Sequence, residues 1–291
     1  MDKVRIGVLG GARGGSMIDY CKIADNAEVV AICDFREDVL NAQRAKAEGY
    51  DITFYDNFDA FIQHDMDAVV LANYAHQHAP FAIKAMQHGK HVFSEVLPAQ
   101  TLKQAVELIE TVEQTGKIYA YGENYCYMPV TYEMKEQYRQ GLIGELEYAE
   151  CEYVHNCEHF WHTLTYGEKD HWRNNMFSTF YCTHSFGPIR HITGLRPVSV
   201  VGFEGTNNAR KLRIGSKSGQ FGIEMVTLEN GALVKSLHGG LYRDSYWFSI
   251  YGSKGRIECP RMGAIGKEYL EHLRTVQARY DSFEGAYDWL E

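Results

Sequence analysis

Three short stretches of the sequence carry side chains that could do chemistry. G10-G-A-R-G-G15 is a G-x-A-x-x-G version of the dinucleotide loop, in which backbone N–H groups approach a pyrophosphate. S94-E-V-L-P98 ends a strand-like run in the acidic Glu95, and Val96, which follows, can neither take a hydroxyl proton nor hold an oxyanion. Y181-C-T-H184 sets a phenol and an imidazole three residues apart, and an imidazole of ordinary pKa, about 6.5, suits a base at neutral pH. The pattern predicts a site whose acid–base groups lie away from Val96.

An acidic residue at the right distance strengthens the interpretation of the glycine loop. Asp34 ends the second apolar run, about 20 residues past the loop, where a carboxylate accepts hydrogen bonds from the adenosine ribose. A carboxylate there repels a 2′-phosphate, which favours NAD over NADP, although Arg36 could reach a phosphate. A glycine-rich surface turn is the alternative for the loop alone. We therefore predict bound NAD, with a loop formed by Gly10, Gly11, Ala12, Arg13, Gly14 and Gly15.

The elements that position this loop alternate regularly along the first part of the chain. Buried apolar runs separated by helical patterns indicate a parallel sheet covered on both faces. The sequence predicts an α/β, doubly wound Rossmann domain over residues 1–124. Its predicted strands are V4-R-I-G-V-L9, V29-V-A-I-C33, D67-A-V-V-L-A-N73, H91-V-F-S94 and K117-I-Y-A-Y121.

The pattern of apolar and polar residues changes after Tyr125. A helix from Val130 to Gln140 is followed by long β-rich stretches. G219 to H238 carries an Asn-Gly pair at 230–231, typical of a hairpin turn, and Y246 to C259 turns at Gly252 to Gly255. We predict an α+β domain over residues 125–291, with a largely antiparallel sheet.

The composition of the chain argues against some classes of binding partner. A formal net charge of -9 without any Lys/Arg run argues against nucleic acid or an anionic membrane surface, and no apolar segment is long enough to span a bilayer. The seven cysteines are scattered and include no CxxC pair, which suggests reduced thiols in a cytoplasmic protein. We expect a small-molecule partner. The chain ends abruptly at D288-W-L-E291, so we expect that a further C-terminal segment could be absent.

The order of these motifs resembles the Gfo/Idh/MocA oxidoreductase family over essentially the whole chain. The resemblance is carried by the glycine loop, Asp34, L71-A-N-Y-A-H-Q-H-A-P80, G89-K-H-V-F-S-E95 and G122-E-N-Y125. Most members have Glu-Lys-Pro where this chain has Glu-Val-Leu-Pro. The resemblance implies a sugar or cyclitol substrate and, by analogy, a homodimer or homotetramer. It also implies further cofactor contacts from Asn73, His76, His78, Glu95, Asn124 and Trp172.

A narrower resemblance is to the NAD-dependent glycosidases of the same family, which also have Glu-Val before the proline. It is carried by E123-N-Y-C-Y127, G141-L-I-G-E-L146, W172-R173 and Y181-C-T-H-S-F-G-P188. The short segment before Tyr181 differs from those enzymes, so aminosugar specificity is not implied. The implied sugar site beside the nicotinamide contains Tyr127, Arg173, Tyr181 and His184. We predict that His184 and Tyr181 share the proton transfers, while Arg173 holds the substrate or favours a phenolate.

These inferences leave several functions open. The first is an enzyme acting on a sugar or glycoside by transient oxidation at C3, elimination and hydration. The others are a conventional NAD-dependent sugar or cyclitol dehydrogenase and a non-catalytic NAD-binding sensor. The run H155-N-C-E-H159, with His162 and His171, also raises a metal site. Because C151-E-Y-V-H155 has a strand pattern, we favour pocket lining for these histidines and predict no metal.

Overall fold

The computed structural model describes residues 3–242 and 244–260, so the chain end at D288-W-L-E291 lies outside the described residues. The chain divides into two compact units between Gly122 and Glu123. This division lies two residues before the one expected from the sequence.

The first unit alternates strands and helices throughout. Its strands are β1 (Val4–Leu9), β2 (Ala27–Cys33), β3 (Thr53–Tyr55), β4 (Ala68–Leu71), β5 (His91–Ser94) and β6 (Tyr119–Tyr121). Its helices are α1 (Gly15–Ile23), α2 (Glu37–Lys46), α3 (Phe58–Phe61), α4 (His78–Gln87) and α5 (Leu102–Thr115).

The six strands form one parallel sheet in the order β3-β2-β1-β4-β5-β6. The strands are short and apolar because helices cover both faces, and buried residues such as Ile32, Val69 and Leu71 are fully enclosed. The chain order reverses between β1 and β4, and in such sheets ligands bind outside the carboxyl ends of the strands at that point. The predicted doubly wound domain is confirmed.

The second unit has one sheet and several mostly short helices. Its strands are β7 (Leu146–Val154), β8 (Pro197–Glu204), β9 (Phe221–Leu228), β10 (Leu233–Gly239), β11 (Ser245–Gly252) and β12 (Gly255–Glu258). Its helices are α6 (Pro129–Arg139), α7 (Trp161–Leu164), α8 (Trp172–Asn175), α9 (Thr183–Thr193) and α10 (Ala209–Arg213).

The sheet of the second unit runs β12-β11-β7-β10-β9-β8. Among the described strands of this sheet only the β10–β7 pair is parallel, so the predicted, largely antiparallel sheet is confirmed. Both predicted hairpins form: Gly231, with φ +88°, turns the chain between β9 and β10, and Gly252 and Gly255 pair across the β11–β12 turn. Apolar residues of α6 and α9 pack on this sheet around Phe248 and Ile250.

In the described ranges, no helix has the length and apolar character that a membrane crossing requires. All seven cysteines are free thiols.

Candidate active site

The glycine loop after β1 is shaped by two positions that tolerate no side chain. Gly10 has φ +93°, and a Cβ there would lie 2.5 Å from the carbonyl carbon of Ala72. A Cβ on Gly14 would lie 2.4 Å from Cγ1 of Val8. The loop therefore turns tightly against β1 and β4 and leads directly into α1, as a pyrophosphate cradle requires.

Asp34 fixes the shape of this loop. Its Oδ2 accepts a hydrogen bond from the Gly11 N–H at 2.9 Å, and its Oδ1 accepts one from the Arg36 N–H, also at 2.9 Å. Burial raises the pKa of Asp34, and the two backbone N–H groups oppose that rise. Each oxygen keeps a lone pair that could accept from a ribose hydroxyl.

Two polar atoms beyond β4 are buried without partners. Oδ1 of Asn73 and Nδ1 of His76 have no hydrogen-bond partner among the residues that the structure describes. Buried polar atoms are normally paired, so these two fit a bound cofactor that would complete them. His78 differs, since its two ring nitrogens lie 2.8 Å and 3.2 Å from the carbonyl oxygens of Leu97 and Asn73. Burial lowers the pKa of His78 and the two carbonyl oxygens oppose that effect; a neutral ring can donate to only one of them.

Glu95 and Val96 occupy the end of β5. Oε1 of Glu95 lies 2.5 Å from Nη2 of Arg13, so this carboxylate ties the β5 end to the glycine loop. Val96 is half-buried and offers neither a base nor a cation. Within the first unit, the glycines, Asp34, Asn73, His76 and Glu95 all stand at the carboxyl edge of the sheet.

The second unit contains a buried carboxylate–imidazole pair. Nδ1 of His184, in the first turn of α9, lies 2.7 Å from Oε1 of Glu123. His184 is 6% exposed and Glu123 is 3% exposed. Glu123 also accepts hydrogen bonds from the Thr183 hydroxyl at 2.6 Å and the Tyr125 N–H at 3.0 Å. A carboxylate held by three donors is fixed in place, so it fixes the orientation of the imidazole.

The pair also sets which ring nitrogen can act as a base. A carboxylate only accepts, so Nδ1 of His184 carries the hydrogen and the lone pair lies on Nε2. Nε2 has no hydrogen-bond partner in the part of the chain that the structure describes, and it is not sealed from solvent. This is the arrangement of a general base with an orienting carboxylate.

Aromatic rings surround His184. The ring centroids of Tyr153, Tyr125 and Tyr181 lie 4.6, 4.7 and 5.3 Å from that of His184. Tyr246 packs on both Tyr125 and Tyr153, at 5.3 and 5.5 Å. Burial, followed by the neighbouring phenols, raises the pKa of Tyr125 and Tyr153, so both stay neutral. The rings form an apolar wall with hydroxyl groups, which suits a sugar.

The other predicted sugar-site residues are only partly brought together. The Arg173 guanidinium carbon lies 5.8 Å from the Tyr181 ring centroid and 4.4 Å from that of Trp172. Tyr127 is 71% exposed, and its ring lies 5.3 Å from His191 rather than among the rings that contact His184. Asn124 is exposed in the same 3-10 turn. The structure brings Arg173 and Tyr181 close to each other, and the roles of all the predicted site residues stay predictions.

In the described part of the chain, the side chains of H155-N-C-E-H159 are not grouped as metal ligands. Within residues 3–242 and 244–260, no three His, Cys, Asp or Glu side chains form a group that could hold a metal ion. Glu158 pairs with Arg210 and Arg213, and Nδ1 of His155 lies 3.0 Å from the Tyr153 hydroxyl. The histidine at 155 therefore stands beside the aromatic wall.

Sequence reasoning missed part of this site. Glu123, Tyr125, Tyr153 and Tyr246 were not expected to be functional. Glu123 could have been found from the sequence, because it is the first residue of the E-N-Y-C-Y127 motif and a buried acid can orient a histidine that acts as a base. The two distant tyrosines face each other across β7 and β11, and sequence alone does not give that register.

A doubly wound parallel sheet with a glycine cradle at its switch point is the fold of dinucleotide-binding Rossmann domains. Residues 4–123 match the model of the GFO_IDH_MocA family, described as "Oxidoreductase family, NAD-binding Rossmann fold". The match confirms, over residues 4–123, the resemblance to that family seen in the sequence.

Similar proteins support the narrower resemblance. A "Glycosyl hydrolase family 109 protein" of Shewanella baltica is 30% identical over 203 residues, which cover 65% of this chain and 44% of the relative. One from Solibacter usitatus is 33% identical, with 65% and 46% covered. The chain thus spans less than half the length of these relatives. A scyllo-inositol dehydrogenase of Lactobacillus casei, solved with NAD(H) and scyllo-inositol, has TM-score 0.71 and 18% identity, covering 89% of this chain and 76% of its own. It shows the fold.

Proposed function

We propose that the protein is an NAD-dependent enzyme that acts on a sugar or glycoside by transient oxidation at C3, elimination and hydration. The observation that carries this proposal is the Glu123–His184 pair, which supplies an oriented base although Val96 replaces the expected lysine. Glycosyl hydrolase family 109 proteins are among the relatives, and they support a substrate with a glycosidic bond.

The residues of the first unit fit a dinucleotide. The glycine cradle, the Asp34 carboxylate and the unpartnered atoms of Asn73 and His76 would hold it. When bound, NAD would accept a hydride from C3 of the sugar and return it later in the same cycle.

The residues of the second unit would move the protons. Nε2 of His184 would take the C3 hydroxyl proton, and the Glu123 carboxylate would stabilise the imidazolium that forms. A C3 ketone acidifies the C2 hydrogen, and its removal allows the C1 substituent to leave. Tyr181, with the Arg173 charge 5.8 Å from its ring centroid, is the second proton carrier that we propose. Water then adds at C1, C2 regains a proton, and the cycle ends without net oxidation.

Isotope exchange tests this cycle. We expect hydrolysis of p-nitrophenyl glycosides in deuterated water to release aglycone without accumulation of free NADH, and the sugar product to carry deuterium at C2. The measurement follows aglycone absorbance, NADH absorbance and the mass or NMR spectrum of the sugar. A product that retains its C2 hydrogen would exclude the elimination. Stoichiometric NADH from a free sugar would identify a conventional dehydrogenase, and no turnover of any sugar would favour the sensor.

We expect NADH to bind more tightly than NADPH. The Asp34 carboxylate stands where an adenosine 2′-phosphate would meet its charge, because its oxygens are held by the N–H groups of Gly11 and Arg36. Fluorescence titration of the two reduced cofactors should give a preference of about tenfold or more for NADH. Tighter binding of NADPH would show that Arg36 dominates the selection.

The homodimer or homotetramer expected by analogy stays a proposal. All eight residues of the edge strand β8 are exposed, and they include Val198, Val200 and Phe203. An exposed apolar edge is a surface that a second copy of the chain would cover.

A further inference from the structure

Helix α10 carries three cationic side chains, of which one points into the second unit. Arg210 and Arg213 both pair with Glu158, at 2.8 Å and 2.6 Å. Lys211 is 9% exposed, and its Nζ makes no direct ion pair or hydrogen bond with the described residues, although the Glu204 carboxylate interacts with it at longer range. Partial burial of an ammonium without a direct counter-ion is unfavourable, so an anionic ligand at this position would stabilise it.

The Lys211 ammonium lies against an aromatic face. Its Nζ is 5.5 Å from the Trp161 ring centroid. The Trp161 Nε1–H donates to Oδ1 of Asn174 at 2.8 Å, which fixes the ring next to α8. Burial lowers the pKa of Lys211, and Cys157 and the Glu204 carboxylate oppose this effect. An indole face beside an ammonium can pack against the C–H groups of a sugar ring while the charge attracts an anionic substituent.

A glycine leaves space beside this ammonium. A Cβ on Gly240 would lie 3.8 Å from Cε of Lys211 and 4.0 Å from Nε2 of Gln220. The Gln220 amide donates to the Gly240 carbonyl, while its buried Oε1 has no hydrogen-bond partner within the described ranges. A ligand in this space would meet one cationic donor and one neutral acceptor. Such a pair suits a group with an anionic oxygen and an adjacent hydroxyl.

The space adjoins the residues around His184. The same Cβ on Gly240 would lie 3.8 Å from the carbonyl oxygen of His155. Nδ1 of His155 is 3.0 Å from the Tyr153 hydroxyl, and the Tyr153 ring centroid is 4.6 Å from that of His184. The residues around Lys211 are therefore next to those of the candidate sugar site.

We propose that Lys211 and Gln220 form an anion subsite of this site, and that the substrate is an acidic sugar. This inference rests on the proposed function and specifies its substrate class. Lys211 would bind a carboxylate, sulfate or phosphate on the sugar, Oε1 of Gln220 would accept from a neighbouring hydroxyl, and Trp161 would pack on the ring. A neutral sugar would leave the ammonium without a direct counter-ion.

Calorimetric binding to the NAD-loaded enzyme, without turnover, tests the subsite. The probes are D-glucuronate and D-galacturonate, compared with D-glucose and D-galactose, and the 6-sulfates and 6-phosphates of the two neutral sugars. We expect at least one anionic series to bind about tenfold or more tightly than its neutral parent. The preferred series distinguishes a carboxylate from a sulfate or phosphate. Added salt should reduce this preference.

Lys211→Met removes the charge and retains most of the apolar stem. We expect it to weaken binding of the preferred anionic sugar by about 10- to 100-fold, with little change for the neutral parent. Arg213→Met is the matched control, because that arginine belongs to the same helix and pairs with Glu158, and it should retain the preference. Thermal unfolding checks both variants, and Lys211→Gln replaces the methionine variant if that one does not fold.

The outcomes separate the two proposals. Equal affinity of the native enzyme for anionic and neutral sugars, or an unchanged preference in a folded Lys211 variant, overturns the subsite. Deuterium incorporation at C2 of a neutral sugar would then still support the proposed function. Conversely, a Lys211-dependent preference for an acidic sugar that is never turned over supports the subsite and contradicts the catalytic cycle.

Discussion

Replacement of His184 by asparagine is expected to lower kcat by about 10²- to 10⁴-fold, the range usual for loss of a general base. Asparagine can still contact the Glu123 carboxylate, but it has no lone pair of suitable basicity at the position of Nε2. The pair is buried, with 2.7 Å between its atoms, so water does not easily take the place of the ring. Turnover of the best p-nitrophenyl glycoside or sugar, measured with saturating NAD, gives the comparison.

Glu123→Gln refines this prediction. The amide would present an N–H to Nδ1 and reverse the tautomer, so that the lone pair points away from the sugar side. We expect about a 10- to 100-fold loss in kcat, smaller than for His184→Asn, with unchanged NADH affinity. His88→Asn is the control, since this histidine is exposed at the end of α4. If His184→Asn retained full activity, the proton transfers would have to be reassigned to the tyrosines.

Local patterns explain why most of the fold was predictable. The glycine loop requires a particular backbone conformation, and Asp34 lies at a fixed distance from it along the chain. Both features can be recognised in a short stretch of sequence. The bounds of α5 also have local causes, because Thr101 and Gln104 form a capping box and Gly116 ends the helix in the left-handed region. Asn230-Gly231 likewise specified its hairpin.

The candidate site depended more on long-range pairing. Glu123 and His184 are 61 residues apart, and Tyr153 meets Tyr246 only because β7 and β11 pair in one particular register. No sequence pattern indicated Lys211, since a lysine in a short basic helix normally faces solvent. Sequence motifs therefore indicated His184 and Tyr181, but not the residues that orient, surround and extend them.

A second buried network, beneath α9, predicts a large effect on stability. Glu224 on β9 hydrogen-bonds with Cys182 and Ser236, and its Oε1 lies 3.6 Å from Nε2 of His238. Burial raises the pKa of Glu224 to about 7 and lowers that of His238 to about 4. The geometry resembles an ion pair, but burial disfavours charge on both groups. We therefore treat the pair as neutral between about pH 4 and pH 7.

Glu224→Gln should stabilise the protein progressively as the pH rises. The folded carboxyl, with a pKa of about 7 against an ordinary 4.5, holds its proton more tightly than the unfolded one, so the wild type loses stability from about pH 4.5 up to pH 7. Glutamine removes this loss, which corresponds to about 3 kcal/mol above pH 7 at 1.36 kcal/mol per pKa unit. The difference in unfolding free energy between variant and wild type, from urea titrations at pH 5 to 8, should grow with pH.

The direction in which the stability difference changes with pH distinguishes a carboxyl that burial keeps neutral from one that forms an ion pair. If Glu224 and His238 formed a true ion pair, the variant would lose an attraction and become less stable near neutral pH. Glu229→Gln provides the opposite control, because the Arg196 N–H and guanidinium lower the pKa of that exposed carboxyl. Its loss should cost stability once the pH exceeds the ordinary carboxyl range. A stability difference that grows with pH for Glu224→Gln, beside a loss of stability that stays nearly constant from pH 5 to 8 for Glu229→Gln, would show that the carboxyl beneath α9 is kept neutral.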